Sequence, residues 1–227
     1  MDDGPGTDPG SLGFYLTAWV AMMAAMMLPS AAPMVVAHSM VQRRRRELGR
    51  ADRGVGQTLA FVTGYLVAWS AFGVVAYGLF ELVRSFEIAA LDWDRGGRWA
   101  LAGVLALAAA YQLTPLKDAC LSRCRSPLAF VVGSWRPGRS GALKMGMEHG
   151  GWCIGCCWAL MATLFALGFM SLTWMLLVAA LVALEKLLPW KRSATAAIAV
   201  LLLGLALAVA LVPDQIPGLN LPAGSGA

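Results

Sequence analysis

The sequence is poor in charge and in histidine. Of 227 residues only 14% are charged and two are His, while 59% are hydrophobic. Mean hydropathy is +0.65. A soluble domain carries about 25% charged and about 45–50% apolar residues. A soluble enzyme, a disordered chain and a nucleic-acid-binding domain are therefore excluded classes. The net charge of +5 does not rescue nucleic-acid binding, because the basic residues lie between apolar runs. No Gly-x4-Gly-Lys-Ser/Thr run occurs, so nothing in the chain reads as a phosphate-cradling loop. Any transport would be passive, ion-coupled or driven by a partner. The first ten residues contain Asp2, Asp3 and Asp8 but no Lys or Arg, and so lack the basic start of a signal peptide. No internal repeat stands out.

What the chain does contain is long apolar runs. Six are visible, near 12–38, 57–80, 98–114, 145–167, 170–188 and 194–212. Each is long enough to cross a bilayer as a helix. Strands would have to close into a barrel of short alternating segments, a pattern absent here. The expected fold is all-α: a polytopic transmembrane helix bundle of about six spans, forming one membrane domain over 12–212. Flexible tails are expected over 1–11 and 213–227, and a Cys-containing loop near 115–144.

Counting Lys and Arg between the runs orients the bundle. The first, third and fifth loops hold fifteen of eighteen, and the second holds Arg84, Arg95 and Arg98. Cytoplasmic loops collect Lys and Arg. The odd loops are thus expected in the cytoplasm and both termini outside.

Sulfur is the unusual component, with twelve Met and five Cys. Soft thiolate and thioether ligands select Cu(I) over harder ions. The first run holds two interleaved pairs, Met22/Met26 and Met23/Met27, followed by Pro29, Pro33 and His38. Residues four apart lie one above the other on a helix, so each pair could hold a copper ion between thioethers. Flexible apolar packing gives the same stripe.

The fourth run is sharper. At about 100° per residue, Met145, His149, Cys153 and Cys156 share an arc of roughly 80°, with Cys157 about 40° further round. Ionisable groups inside a membrane are costly and by default mark function. Gly146/Gly150 and Gly151/Gly155 repeat at the spacing of close helix contacts.

The third loop adds Cys120 and Cys124. If helical, they share a face, and they could pass metal to or from a cytoplasmic acceptor; a four-cysteine zinc site of Cys120, Cys124, Cys153 and Cys156 is the lesser alternative, because the gap between the pairs is long. A reducing cytoplasm opposes a permanent disulfide there. Glu148 and Glu185 could orient His149 from behind, or pair with Lys144 or Lys186.

At these motifs the chain resembles the bacterial family of predicted metal-binding integral membrane proteins, a family of uncharacterised function. The matching pieces are Trp19 and Ala-Met-Met-Leu-Pro through Pro33, then Tyr111-Gln-Leu-Thr-Pro-Leu-Lys-x2-Cys-Leu-x2-Cys-Arg-x-Pro127 and Trp135-Arg. Gly146-x2-His149-Gly-x2-Cys153-x-Gly-Cys-Cys-Trp-x-Leu-Met161 follows, then Trp174-Met and Glu185-Lys. The resemblance implies membrane residence and metal handling, without an established reaction.

The residues thus predict a Cu(I)-binding membrane protein that transports or delivers the ion, with zinc as the alternative metal. Expected ligands are Met22, Met23, Met26, Met27, His149, Cys153, Cys156 and Cys157, with Cys120, Cys124 and His38 along the route. Expected partners are the lipid bilayer, the metal ion, a cytoplasmic or membrane acceptor protein, and further copies of the chain. The expected location is the bacterial inner membrane. A membrane thiol-disulfide oxidoreductase, and an assembly factor loading metal into a membrane oxidase, are the other readings. The first of these alone would make the chain an enzyme.

Overall fold

Apolar runs rich in Leu, Ala and Met, with few internal breakers, favour helix. The computed structural model is helical accordingly. It describes residues 11–49, 56–85, 97–167, 172–188 and 191–212. Among these, eight helices and no strand occur: α1 Leu12–Glu47, α2 Gln57–Ser85, α3 Arg98–Gln112, α4 Pro115–Cys124, α5 Pro127–Gly133, α6 Gly138–Leu167, α7 Leu172–Leu187 and α8 Lys191–Leu211. The all-α expectation holds. Both expected tails, and Arg50, Arg53 and Arg95 of the charge count, lie outside the described residues.

α1 runs unbroken through Pro29 and Pro33. Its last turn carries Arg44, Arg45 and Arg46, cations that suit the negative end of a helix. Gly49 then takes φ +66°, and its N–H reaches the Arg46 carbonyl at 3.0 Å. Glycine adopts this left-handed conformation without steric cost, which stops the helix.

The expected loop near 115–144 is helical instead. Pro115 opens α4 and Pro127 opens α5, where a missing N–H costs nothing. Hydropathy marks apolar runs and passes over such short polar helices.

The expected count of about six spans is met only in part among the described residues. By length and composition three helices can cross a membrane: α1, Gln57–Leu82 within α2, and Arg192–Leu211 within α8. A fourth is added if α3 and α4 count as one broken span. α7 has only 16 residues, against about 20 for a full crossing. The first half of α6 carries Arg139, Lys144, Glu148 and His149. Six spans are therefore not confirmed among the described residues.

The chain divides into two compact units. One comprises Gly13–Ala76 and Pro115–Cys157, and so holds most of α1 and α2, all of α4 and α5, and α6 as far as its cysteines. The other takes in Tyr77–Thr114 and the chain from Trp158 onward. In that second unit α3 packs along α8, and α7 also meets α8.

In the first unit α2 and α6 approach at backbone distance. A Cβ on Gly146 would collide with the Phe61 carbonyl, and one on Gly64 with the Leu143 carbonyl. A Cβ on Gly150 would stand 2.6 Å from that of Ala68. The expected packing role of Gly146 and Gly150 is met. Gly151 differs, since nothing lies within 4 Å of its Cβ position.

Candidate metal centre

All five cysteines belong to the first unit, and all are free thiols. Helical spacing puts Cys153, Cys156 and Cys157 on adjoining positions of two successive turns of α6. Their sulfurs lie within 4.8 Å of one another, and all three side chains are buried. The Cys156 and Cys157 thiols donate to the Cys153 carbonyl at 3.1 and 2.9 Å. These bonds turn both sulfurs back toward the Cys153 turn and so hold the three together.

α4 supplies the other two. The Cys124 sulfur is 3.8 Å from that of Cys156 and is half-buried. Cys120 is buried, and its sulfur would be 2.7 Å from a Cβ on Gly155. Gly155 thus leaves the space into which α4 brings a thiol. The sequence favoured carriers in the 115–144 loop that share a face if helical; here that stretch is helical, and α4 places Cys120 and Cys124 beside the α6 cysteines. Arg123 of the same helix lies over Trp152, 4.6 Å from the ring centre.

α2 contributes residues that local spacing in α6 did not reveal. The Tyr65 hydroxyl is 3.1 Å from the Cys153 sulfur. Phe61, Tyr65 and Trp69 repeat every four residues and are nearly inaccessible. That ladder was readable as one face of α2, though not its destination. His149, one turn before Cys153, lies among the rings of Tyr65, Phe130 and Phe61, at 5.6, 5.5 and 6.1 Å. It is buried with the thiols on the same helix but is not a member of the 4.8 Å group.

Glu148 does not pair with Lys144 or reach toward His149 in any described contact. It accepts from the Ser134 hydroxyl at 3.3 Å and from Arg136 at 3.5 Å. Glu185 is buried on α7, in the second unit.

On α1, Met23, Met26 and Met27 are buried and Met22 half-buried. Ordinary packing also buries thioethers, so burial does not separate ligation from core filling. His38 is buried between Phe61 and Trp135, with ring centres 4.9 and 5.5 Å away.

A cluster of buried thiols has little use for water and much for a soft ion. Comparison with known families bears this out: a model described as PpoB2, copper chaperone, matches residues 16–209. The chain belongs to the PpoB2 copper chaperone family. No curated protein and no solved structure matches it. The match to the PpoB2 family supports the metal-handling part of the expectation and points to copper. The two motifs that carried the resemblance, Tyr111–Pro127 and Gly146–Met161, contain all five cysteines and lie within the residues matched to the PpoB2 family.

Proposed function

We propose that the chain is an integral membrane protein that binds Cu(I) at Cys153, Cys156 and Cys157 and delivers it to an acceptor. The single observation that carries this reading is the buried sulfur triangle on α6. Thiolates select soft metals, Cu(I) and zinc among them. Ligand number and family separate the two: structural zinc takes four ligands, the α6 triangle offers three sulfurs, and the family matched is described as a copper chaperone. Cys124 and Cys120 on α4 offer the next sulfurs, through which the ion leaves by thiol-to-thiol exchange. Met22, Met23, Met26 and Met27 supply thioethers, and His149 an imidazole, along α1 and α6.

Membrane residence in this reading rests on composition and on exposed apolar faces. Val200, Leu203, Leu207 and Leu211 form an exposed helical stripe on α8. Leu172, Leu176, Leu184 and Leu187 are exposed on α7, and Val67, Val74, Val75 and Leu79 on α2. Apolar surface of this extent is costly in water and favourable against lipid. Multiple passes through a bacterial inner membrane, with the Arg-rich end of α1 in the cytoplasm, follow from the charge bias.

The test is metal content of the full chain, purified anaerobically under reducing conditions in detergent. It is run beside a Cys153→Ser/Cys156→Ser/Cys157→Ser variant. Copper in the wild type that falls by about one ion per chain in the variant supports the proposal. Zinc in its place, or a copper content unchanged by the triple change, overturns it.

A further inference from the structure

His38 is buried to 1% exposure, and its Nδ1 has no hydrogen-bond partner among the described residues. Buried polar atoms are nearly always paired, and an exception calls for a reason such as a bound ion. The groups around this one supply the reason. Met34 lies one turn earlier on α1 and is 1% exposed. At about 100° per residue, Met34, His38 and Arg45 fall within roughly 40° of one helix face. Met145, on α6, is inaccessible and packs in the same buried cluster as Met34 and Phe61. The backbone N–H of Arg136 donates to the Met145 sulfur at 3.3 Å. That bond fixes the thioether beside Trp135, the residue whose ring stacks on His38. One sulfur lone pair is spent on it and one remains. Trp135 packs against the cluster, and Arg45 lies over its ring at 4.9 Å.

We infer that His38 Nδ1, Met34 and Met145 form a second Cu(I) site, built of one imidazole and two thioethers. The inference rests on the reading that this chain handles Cu(I). Every ligand is neutral when His38 carries its proton on Nε2. The bound ion therefore keeps its single positive charge, and no proton is displaced. Thioethers and imidazole bind a soft monovalent ion more weakly than thiolates do, so the site suits an ion in passage. Phe61 touches the ring of His38 on one side and that of His149 on the other contact, at 4.9 and 6.1 Å. One aromatic side chain thus links the two histidine-bearing regions.

The test uses the full chain in detergent and Cu(I) alone as probe, titrated against a chromophoric Cu(I) chelator. In the Cys153→Ser/Cys156→Ser/Cys157→Ser background, about one Cu(I) per chain should remain, with nitrogen and thioether sulfur in its X-ray absorption spectrum. Adding His38→Phe, which keeps the ring stack, should weaken that ion's binding at least tenfold, the scale on which metal sites respond to lost partners. Should His38→Phe fail to fold, the near-isosteric pair Met34→Leu/Met145→Leu decides in its place. A triple-serine background that binds no Cu(I), while the wild type does, overturns the second site and leaves the thiol site standing. A remaining ion indifferent to both sets of changes also overturns it. A wild type whose full copper content survives loss of the three cysteines but falls with His38→Phe sinks the thiol reading and supports this one.

Discussion

The hydroxyl of Tyr65 on α2 lies 3.1 Å from the sulfur of Cys153 on α6. In the proposed centre, a phenol beside a ligand sulfur has a specific use. It donates to the thiolate once the thiol proton is gone, which steadies the charge and aims the sulfur. Partners of this kind change metal affinity by about 10–100-fold when removed. Tyr65→Phe keeps the ring against His149 and removes only the oxygen. Competition titration should show Cu(I) affinity lower by about tenfold, with the melting temperature little changed. An affinity equal to wild type would show that the hydroxyl serves packing alone.

Gly146 and Gly155 should fail differently when given a methyl group. At Gly146 the new Cβ meets the Phe61 carbonyl, which belongs to a helix backbone and cannot step aside. Gly146→Ala should destabilise the α2–α6 contact by about 1–3 kcal/mol, the usual cost of overpacking. At Gly155 the obstacle is the Cys120 sulfur at 2.7 Å, the end of a side chain that can rotate. Gly155→Ala should melt closer to wild type yet hold Cu(I) less tightly. Thermal melts and Cu(I) titrations on both variants separate the two effects.

Much of this was legible in the sequence, for a physical reason. The ligand ladder on α6 is local: spacings of three and four on one helix place Cys153, Cys156 and Cys157 together whatever else the chain does. The longest helices also announced themselves by hydropathy, and α3 begins at Arg98 and α7 ends at Leu187 within a residue or two of expectation. What spacing could not supply was the partner across an interface. Tyr65 is 88 residues from Cys153, and only the tertiary fold brings them together. Cys124 was read chiefly as a carrier, and a site shared with Cys153 and Cys156 was set lower, because sequence separation hides that α4 packs against α6. The count of about six spans is not confirmed among the described residues, where three or four helices have the length and composition of a crossing.

Cys124 should behave as part of the centre, not as an independent carrier. Its sulfur is 3.8 Å from that of Cys156. Cys124→Ser should lower Cu(I) affinity measurably, whereas a distant carrier thiol would leave equilibrium affinity alone and slow only transfer. The same closeness predicts cross-linking. A mild thiol oxidant applied to the metal-free protein should give a Cys124–Cys156 disulfide, detectable by peptide mass spectrometry after limited relaxation of the side chains toward bonding distance. Loading with Cu(I) beforehand should suppress it. Oxidation that pairs other cysteines first, or is indifferent to copper, would count against a shared centre.

Acidity should separate the two proposed sites. Thiols bind metal as thiolates, so Cu(I) entering the α6 centre expels protons, and a fall in pH opposes binding. Below an ordinary thiol pKa of about 8.5, each proton expelled makes affinity fall about tenfold per pH unit. Two or three ligating thiols therefore predict a drop of about a hundredfold to a thousandfold between pH 8 and pH 7. The site at His38, Met34 and Met145 expels none, because a neutral imidazole and two thioethers bind without losing a proton. Its affinity should stay within a few-fold. The measurement is a pair of Cu(I) titrations at both pH values, with the chelator's own pH dependence corrected. One uses His38→Phe, which isolates the thiol centre, and the other the cysteine-to-serine triple variant. A flat response in the first would mean that its ligands are not thiolates. A steep response in the second would mean that its ion is held by a group other than neutral imidazole and thioether.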